Sequence, residues 1–165
     1  MLFRSADVLV TSGGVSVGLH DLVRRLEAEL GVTEVFWGVS MRPGKPLAFG
    51  VRGSTLVFGL PGNPVSSLVG CELFVLPAIR ALQGASAPEP RFELATLGET
   101  LRRSPARDDL VRASIDLSSD AVLRPLVGQE SHMIARTANA DALIHVPRGE
   151  GELVVGSTVR YLRLA

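Results

Sequence analysis

The fold is decided by one stretch near the start of the chain, Ala6-Asp7-Val8-Leu9-Val10-Thr11-Ser12-Gly13-Gly14-Val15-Ser16-Val17-Gly18-Leu19-His20-Asp21. Its first five residues are mainly apolar and include the β-branched Val8 and Val10, which is typical of a buried parallel strand. After the stretch, Leu22, Leu26 and Leu30 recur at a spacing of four and predict a helix with one apolar face. A strand, a glycine-rich turn and a helix in this order expose backbone N–H groups at the carboxyl edge of a sheet, where anions bind.

Asp21 closes this stretch, and two roles are open for it. As an N-cap, its carboxylate accepts hydrogen bonds from the first turn of the helix and contributes about 1 kcal/mol. As a functional group beside a phosphate-binding turn, it can ligate Mg²⁺ or orient a nucleophile. The turn itself is Gly-x-x-x-Gly after a double glycine. It therefore matches neither the dinucleotide-binding fingerprint nor the Walker loop.

Composition bounds the class of protein. The 165 residues are 46% hydrophobic with a mean hydropathy of +0.28, and 17 basic residues balance 17 acidic ones. This balance argues against nucleic acid or an anionic membrane as a partner. Cys71 is the only cysteine, and no secretory signal is recognisable, so we expect a cytoplasmic protein. The apolar run Val65–Leu82 is interrupted by Glu72, Pro77 and Arg80, which predicts a buried helix, kinked at the proline, rather than a membrane span.

Further strands and a second helix follow the first helix. Alternating apolar residues predict a strand over Thr33–Met41. Two short apolar segments, Leu47–Val51 and Ser54–Leu60, predict a hairpin. Asn63 and Pro64 then stand where an N-cap and a first-turn proline are favoured, at the start of the long apolar helix.

A linker-like segment, Gly84-Ala85-Ser86-Ala87-Pro88-Glu89-Pro90, divides the chain. The predicted domains are residues 1–86, an α/β domain, and residues 87–165, a small all-β barrel or sandwich. Strands of the second domain are predicted over Arg91–Leu97, Leu110–Leu117, Ala121–Leu126, Ala142–Val146 and Ser157–Leu164, with a short helix between Ser131 and Ala138.

Three loops fall at comparable places in the first domain. They are Ser12–Asp21, Arg42–Pro46 and Leu60–Pro64. The first and third follow a strand and open a helix, so we expect their backbone amides to meet at one edge of the sheet. The second carries Arg42 and Lys45, which suit phosphate or another oxyanion. Together the loops predict a site for an anionic ligand.

These loops resemble the sequence blocks of MoeA-type molybdopterin molybdotransferases, the family that includes the gephyrin E domain. The first block, Asp7–Gly18, is shared more loosely with the MoaB/Mog molybdopterin-binding proteins. The other blocks are Arg42-Pro43-Gly44-Lys45-Pro46 and Gly59-Leu60-Pro61-Gly62-Asn63-Pro64-Val65-Ser66. Gly128–Ile134 and Ala138–Ile144 resemble the C-terminal β-domain of that family.

The resemblance implies a fold, a reaction and partners. The fold is a three-layer MoaB/Mog-like domain, incomplete at its N-terminus, followed by a β-barrel-like domain corresponding to domain IV of the family. The reaction is the Mg²⁺-dependent insertion of molybdate into adenylylated molybdopterin, with release of AMP. A homodimer and contacts with other proteins of the molybdenum cofactor pathway are implied as well.

The resemblance also implies site residues. Asp21 matches the essential aspartate of the family, as catalytic group and Mg²⁺ ligand. Arg112 and Ser131 fall where the family has residues near molybdate, although an exposed strand cation and a helix N-cap remain equally good interpretations of the two. The full set of implied substrate-binding residues is Ser12, Gly13, Gly14, Ser16, Gly18, Arg42, Pro43, Gly44, Lys45, Pro61, Gly62, Asn63, Pro64, Ser66, Arg112 and Ser131.

The chain also departs from the family. Gly38 replaces a common lysine, and Glu130 puts a carboxylate where glycine is usual and where it would repel molybdate. The family's N-terminal domains and the opening strand and helix of its ligand domain have no counterpart. A binding module without turnover, or a scaffold of the gephyrin kind, is therefore an alternative to the enzyme. We also expect an unpaired sheet edge, with self-association or poor solubility as its consequence.

Overall fold

A computed structural model describes residues 5–14, 22–118, 121–128 and 139–164. The described residues form two compact units. The α/β unit comprises those of 1–39 and 44–89, and the β unit comprises those of 40–43 and 90–165. The short segment Ser40–Pro43 thus belongs to the β unit although it lies far from the rest of it in sequence. The domain bounds predicted above, residues 1–86 and 87–165, remain a prediction. They place Ser40–Pro43 in the first domain, whereas this segment belongs to the β unit.

Within the described residues of the first half of the chain, the α/β unit contains four strands, three α-helices and a π turn. In chain order the elements are β1 (Val8–Ser12), α1 (Leu22–Glu29), β2 (Thr33–Trp37), β3 (Met41–Arg42), β4 (Ala48–Arg52), β5 (Thr55–Leu60), α2 (Pro64–Gly70), a π turn (Cys71–Val75) and α3 (Leu76–Leu82). Of these, β3 belongs to the β unit. The sheet order is β1-β5-β4-β2. Strands β1 and β5 are parallel, whereas β4 runs antiparallel to both β5 and β2. The hairpin predicted around Arg52-Gly53 is confirmed.

Strand β1 is less buried than its sequence predicts. Within the described residues it pairs only with β5, so it forms an edge of the sheet, and Val10 is 44% exposed. Helix α1 contains no buried residue, and its apolar face of Leu22, Leu26 and Leu30 is more than half exposed. The prediction of a fully buried strand is therefore wrong. An apolar strand is buried only when other elements cover both its sides and its faces.

Strand β2 ends at Trp37, four residues before the predicted end at Met41. Gly38 has φ +84°, a left-handed conformation that L side chains rarely adopt, and its N–H donates to the Leu47 carbonyl at 2.8 Å. The chain therefore turns at Gly38, and Met41–Arg42 forms β3 elsewhere. The same φ gives a local reason for glycine, rather than lysine, at this position.

One helical run continues from Pro64 to Leu82, with a π turn in its middle. The Leu76 N–H donates to the Cys71 carbonyl, five residues back, immediately before Pro77. Proline lacks an N–H and crowds the carbonyl four residues earlier, and the wider turn accommodates both constraints. The predicted disturbance at Pro77 is thus confirmed in this form.

This run is also long and apolar enough to cross a membrane by length and composition alone, with a mean hydropathy of 1.6. The core helix of a soluble protein passes the same test. Val65 and Val69 are buried, and the ring of Phe74 lies 6.1 Å from that of Phe36 on β2. These contacts fit a helix packed on the sheet, although α3 itself contains no buried residue.

The β unit is a closed barrel. Its further strands are β6 (Phe92–Leu97), β7 (Leu101–Arg102), β8 (Asp108–Asp116), β9 (Val122–Pro125), β10 (Ala142–Val146), β11 (Glu152–Leu153) and β12 (Thr158–Arg163). The order β10-β12-β6-β9-β8 closes on itself through pairing of β8 with β10, and β3 adds to β8 in parallel. The interior contains Leu97, Leu123, Ala142, Ile144 and Tyr161. The predicted fold class, an α/β domain followed by a small β-barrel, is confirmed; the helix predicted at 131–138 lies outside the described residues.

Candidate functional site

Two of the three predicted loops meet at one edge of the α/β unit. Ser12 at the end of β1 is opposite Leu60 at the end of β5, and the Gly13 N–H donates to the Leu60 carbonyl at 2.9 Å. A Cβ atom added at Gly62 would lie 3.4 Å from the Gly13 Cα, so the two loops approach backbone to backbone. Gly13 and Gly14 both have positive φ, +88° and +72°. Glycine at 13 and 62 thus lets the two loops pack together at the carboxyl ends of two parallel strands, and glycine at 14 leaves room for the Val23 side chain.

Hydroxyl groups hold these loops together. The Ser12 hydroxyl donates to the Pro61 carbonyl at 3.3 Å, and the Ser67 hydroxyl donates to the same carbonyl. Their protons are therefore used within the protein. Ser12, predicted as a phosphate donor, acts in this structure as a clamp between the two loops.

The start of α2 follows the predicted capping pattern. Asn63 Oδ1 accepts from the backbone N–H groups of Val65 and Ser66 at 3.1 and 3.2 Å, and Pro64 occupies the first helical turn. The Ser66 hydroxyl also donates to Asn63 Oδ1, at 3.4 Å, and Ser66 is buried. The Asn63 side chain thus already accepts from two first-turn amides that an anion would otherwise contact. The Gly13 N–H is likewise engaged, by the Leu60 carbonyl.

The Arg42–Pro46 loop is divided between the two units. Arg42 and Pro43, joined by a cis peptide bond, belong to the β unit, whereas Gly44 and Lys45 belong to the α/β unit. Gly44 is buried with φ +109°, and the Lys45 carbonyl accepts from the Val39 N–H at 2.9 Å while its side chain is exposed. The sequence suggests that one loop supplies both Arg42 and Lys45. In the structure Arg42 belongs to the β unit and Lys45 to the α/β unit.

Arg42 forms an ion pair with a residue that the sequence analysis did not single out. Its terminal nitrogen Nη2 lies 2.6 Å from Oδ2 of Asp109 at the start of β8, 67 positions later in the chain. Asp109 is only 3% exposed. The available signal was a pair of acidic residues, Asp108 and Asp109, at the beginning of an apolar strand, where burial of a carboxylate demands a cationic partner.

Arg112, a predicted molybdate-site residue, is also buried within the β unit. It is 2% exposed, and its Nη2 donates to the Gly128 carbonyl at 2.8 Å. The interpretation as an exposed strand cation is therefore wrong. The buried guanidinium holds the backbone at Gly128, at the end of the described range 121–128.

Several predicted site residues lie outside the described residues. These are Ser16, Gly18, Asp21 and Ser131, together with His20 and Glu130, which were considered beside them. Among the residues that the structure describes, no group of three or more histidine, cysteine, aspartate or glutamate side chains could hold a metal ion. The assignment of Mg²⁺ to Asp21 thus remains a prediction from the sequence.

Another acidic residue of the β unit, Asp108, pairs with a histidine. Its Oδ2 lies 2.8 Å from His145 Nε2, and its Oδ1 accepts from the Arg148 N–H at 2.9 Å. Burial raises the pKa of Asp108, but the hydrogen bonds from His145 and Arg148 outweigh it and leave the pKa below its usual value. Adjacent carboxylates on β8 thus face different partners, a histidine for Asp108 and an arginine for Asp109.

Two family models match the chain and together cover most of it. Residues 1–81 match a family described as "Probable molybdopterin binding domain". Residues 95–164 match the "MoeA C-terminal region (domain IV)". The first match contains the glycine loops, and the second contains the barrel strands with Asp109 and Arg112.

Individual relatives agree with these matches. The chain is 35% identical to a molybdopterin molybdenumtransferase of Haemophilus influenzae over 93% of this chain and 39% of the relative. It is 33% identical to gephyrin of Dictyostelium discoideum over 95% of this chain and 25% of the relative. A crystal structure of the molybdopterin biosynthesis protein MoeA from Pyrococcus horikosii matches with a TM-score of 0.76 and 28% identity, over 98% of this chain and 38% of that one. The chain therefore spans between a quarter and about two fifths of the length of these proteins.

Proposed function

We propose that this chain, which belongs to the MoeA-type family of molybdopterin-binding proteins, acts in molybdenum cofactor biosynthesis. In this proposal it binds adenylylated molybdopterin and takes part in the Mg²⁺-dependent insertion of molybdate, with release of AMP. The observation that carries the proposal is the backbone-to-backbone approach of Gly13 and Gly62. The relatives named molybdopterin molybdenumtransferase support the choice of reaction.

The glycine edge accounts for binding in physical terms. A phosphate group needs N–H donors at the carboxyl ends of the strands, and side chains at Gly13 or Gly62 would push the two loops that meet there apart. The hydrogen bonds of Ser12 and Ser67 to the Pro61 carbonyl fix the loops before a ligand arrives. Less conformational entropy is then lost on binding, which raises affinity.

The chemical step is assigned to Asp21 from the family resemblance. Mg²⁺, when bound, would neutralise charge on the phosphoanhydride of the adenylylated pterin. Because Asp21 lies outside the described residues, we assign no geometry to the ion and no step through it. Arg42 and Lys45 are proposed to bind oxyanions, since both side chains reach solvent.

The decisive experiment measures AMP release from adenylylated molybdopterin by the purified chain with Mg²⁺ and molybdate. Replacing Asp21 with Ala should abolish AMP release and leave binding of the adenylylated pterin unchanged. An unchanged rate in this variant would remove Asp21 from the mechanism. Asp116→Ala, on the β unit and remote in sequence from the loops, is the control and should keep the wild-type rate.

A second candidate function is binding without turnover. The family model that matches the glycine loops, described as a probable molybdopterin binding domain, supports this alternative. Binding of adenylylated molybdopterin without AMP release would support it and exclude the enzyme. We further propose a cytoplasmic location and a homodimer; the exposed leucine face of α1 and the edge strand β1 support the second of these.

A further inference from the structure

Asp109 is a buried carboxylate on an element that faces the arginine of the second loop. Strands β3 and β8 pair in parallel, and the register places Arg42 opposite Asp109. Both residues belong to the β unit. The Asp108 N–H donates to the Ser40 carbonyl at 3.0 Å, which fixes the backbone on which Arg42 is carried.

Two guanidinium groups compensate the charge of Asp109. Arg42 Nη2 lies 2.6 Å from Oδ2, and Arg107 Nε lies 3.8 Å from Oδ1. A carboxylate that is 3% exposed requires such compensation, because its desolvation costs several kcal/mol. Only Arg42 is hydrogen-bonded to this carboxylate, because Arg107 Nε and Asp109 Oδ1 have no hydrogen-bond partner within the described residues.

The contact with Asp109 fixes the Arg42 guanidinium and leaves more than half of the side chain exposed to solvent. The Arg42 side chain is 57% exposed, whereas that of Asp109 is 4% exposed. A guanidinium carries five N–H donors in a planar fork, and the contact to Oδ2 engages one terminal nitrogen. The guanidinium is therefore anchored at its buried corner while the rest of the side chain reaches solvent.

We infer that Asp109 is a positioning residue, which holds Arg42 in the orientation that binds an oxyanion of the substrate, a phosphate or molybdate. The inference rests on the proposed function, because it deepens the role given there to Arg42. It assigns to the β unit a part in ligand binding that acts through another side chain. The opposite possibility is that Asp109 competes with the ligand for Arg42, and the two differ in the sign of their effect on affinity.

The test is the affinity of the chain for adenylylated molybdopterin in variants of Asp109. Asp109→Ala should weaken binding about tenfold, the order of effect seen when a group that orients a ligand-binding side chain is removed. Asp109→Glu retains the charge and should recover part of the loss. Asp109→Asn keeps the shape of the side chain but removes its charge. It replaces Asp109→Ala in the test if the alanine variant does not fold. The control is Asp116→Ala, which removes an exposed ion pair with Arg124, 3.3 Å long, from the same strand and should leave affinity unchanged.

A double-mutant cycle separates positioning from a merely structural role. If Asp109 acts through Arg42, the combined variant Arg42→Ala with Asp109→Ala should bind as weakly as Arg42→Ala alone. The inference would be overturned if the loss of affinity in the combined variant equalled the product of the losses in the two single variants. Unchanged binding by Asp109→Ala would also overturn it. Tighter binding would do the same, because it would indicate that Asp109 competes with the ligand for Arg42. A wild-type chain that binds no adenylylated molybdopterin refutes the proposed function and this inference with it, whereas wild-type binding that Asp109→Ala leaves intact refutes the inference alone.

Discussion

The cap at the start of α2 allows a stability prediction to be worked from the structure. Replacing Asn63 with Ala removes the acceptor of the Val65 and Ser66 N–H groups. Loss of an N-cap costs about 1 kcal/mol on average and up to about 2 kcal/mol in proteins. Val65 and Ser66 are only 2% and 6% exposed, so water replaces the lost acceptor poorly. We therefore expect the upper value, about 2 kcal/mol.

The assay is urea unfolding followed by fluorescence of Trp37, the only tryptophan and a residue of the α/β unit. Asn63→Asp should lose less than about 0.5 kcal/mol, because aspartate caps as well as asparagine. The same variant should weaken binding of adenylylated molybdopterin, since it adds a negative charge beside Gly62. Ser54→Ala, in the exposed turn between β4 and β5, should leave the unfolding curve unchanged.

The reasoning is refuted by an Asn63→Ala variant that unfolds within about 0.5 kcal/mol of the wild type, the usual range of surface substitutions. Such a result would mean that the amides of Val65 and Ser66 find other acceptors. Equal destabilisation by Asn63→Ala and Asn63→Asp would also contradict it, because aspartate keeps a side-chain oxygen that can accept from the Val65 and Ser66 N–H groups.

Two further predictions concern acid stability and self-association. Hydrogen bonds from Tyr161 and Arg163 lower the pKa of Glu93, so its contribution to stability is present above the unfolded pKa of about 4.3 and is lost as the pH falls through the lower folded value. Glu93→Gln should flatten the acid decline of the urea midpoint followed by circular dichroism, and an unchanged slope would contradict this. Leu26→Asp, on the exposed face of α1, should reduce self-association in light scattering, whereas Leu117→Asp, equally exposed on the β unit, should not; wild-type protein that stays monomeric at high concentration would contradict this prediction.

The elements of the fold could be predicted from the sequence wherever the signal is local. The Asn63 cap and the Pro64 first turn need only neighbouring residues, and the Arg52-Gly53 hairpin needs only two adjacent strands. Each of these was predicted and is confirmed. Strand β2 was predicted too long because an alternating pattern carries no information on the φ of Gly38, where the strand ends.

Burial was predicted less well than secondary structure. The sequence pattern of β1 and α1 indicates apolar surface, but covering that surface depends on what packs beside it. In the described residues β1 has a partner on one side only, and the leucine face of α1 stays exposed. Apolar composition therefore predicted the strand and the helix correctly and the burial of the strand incorrectly.

For the candidate site, the sequence by itself determined the local form of the loops that we propose to bind the substrate, because glycines, a cap and a first-turn proline act through their own backbone. The meeting of Gly13 with Gly62 follows from parallel pairing of β1 with β5 and was expected on that ground. Only the tertiary structure decided the partner of Arg42. Asp109 lies 67 positions away, and the two meet because β3 pairs with β8 within the β unit. Long-range register and the burial of a charge are properties of the whole packed unit, and no local pattern contains them.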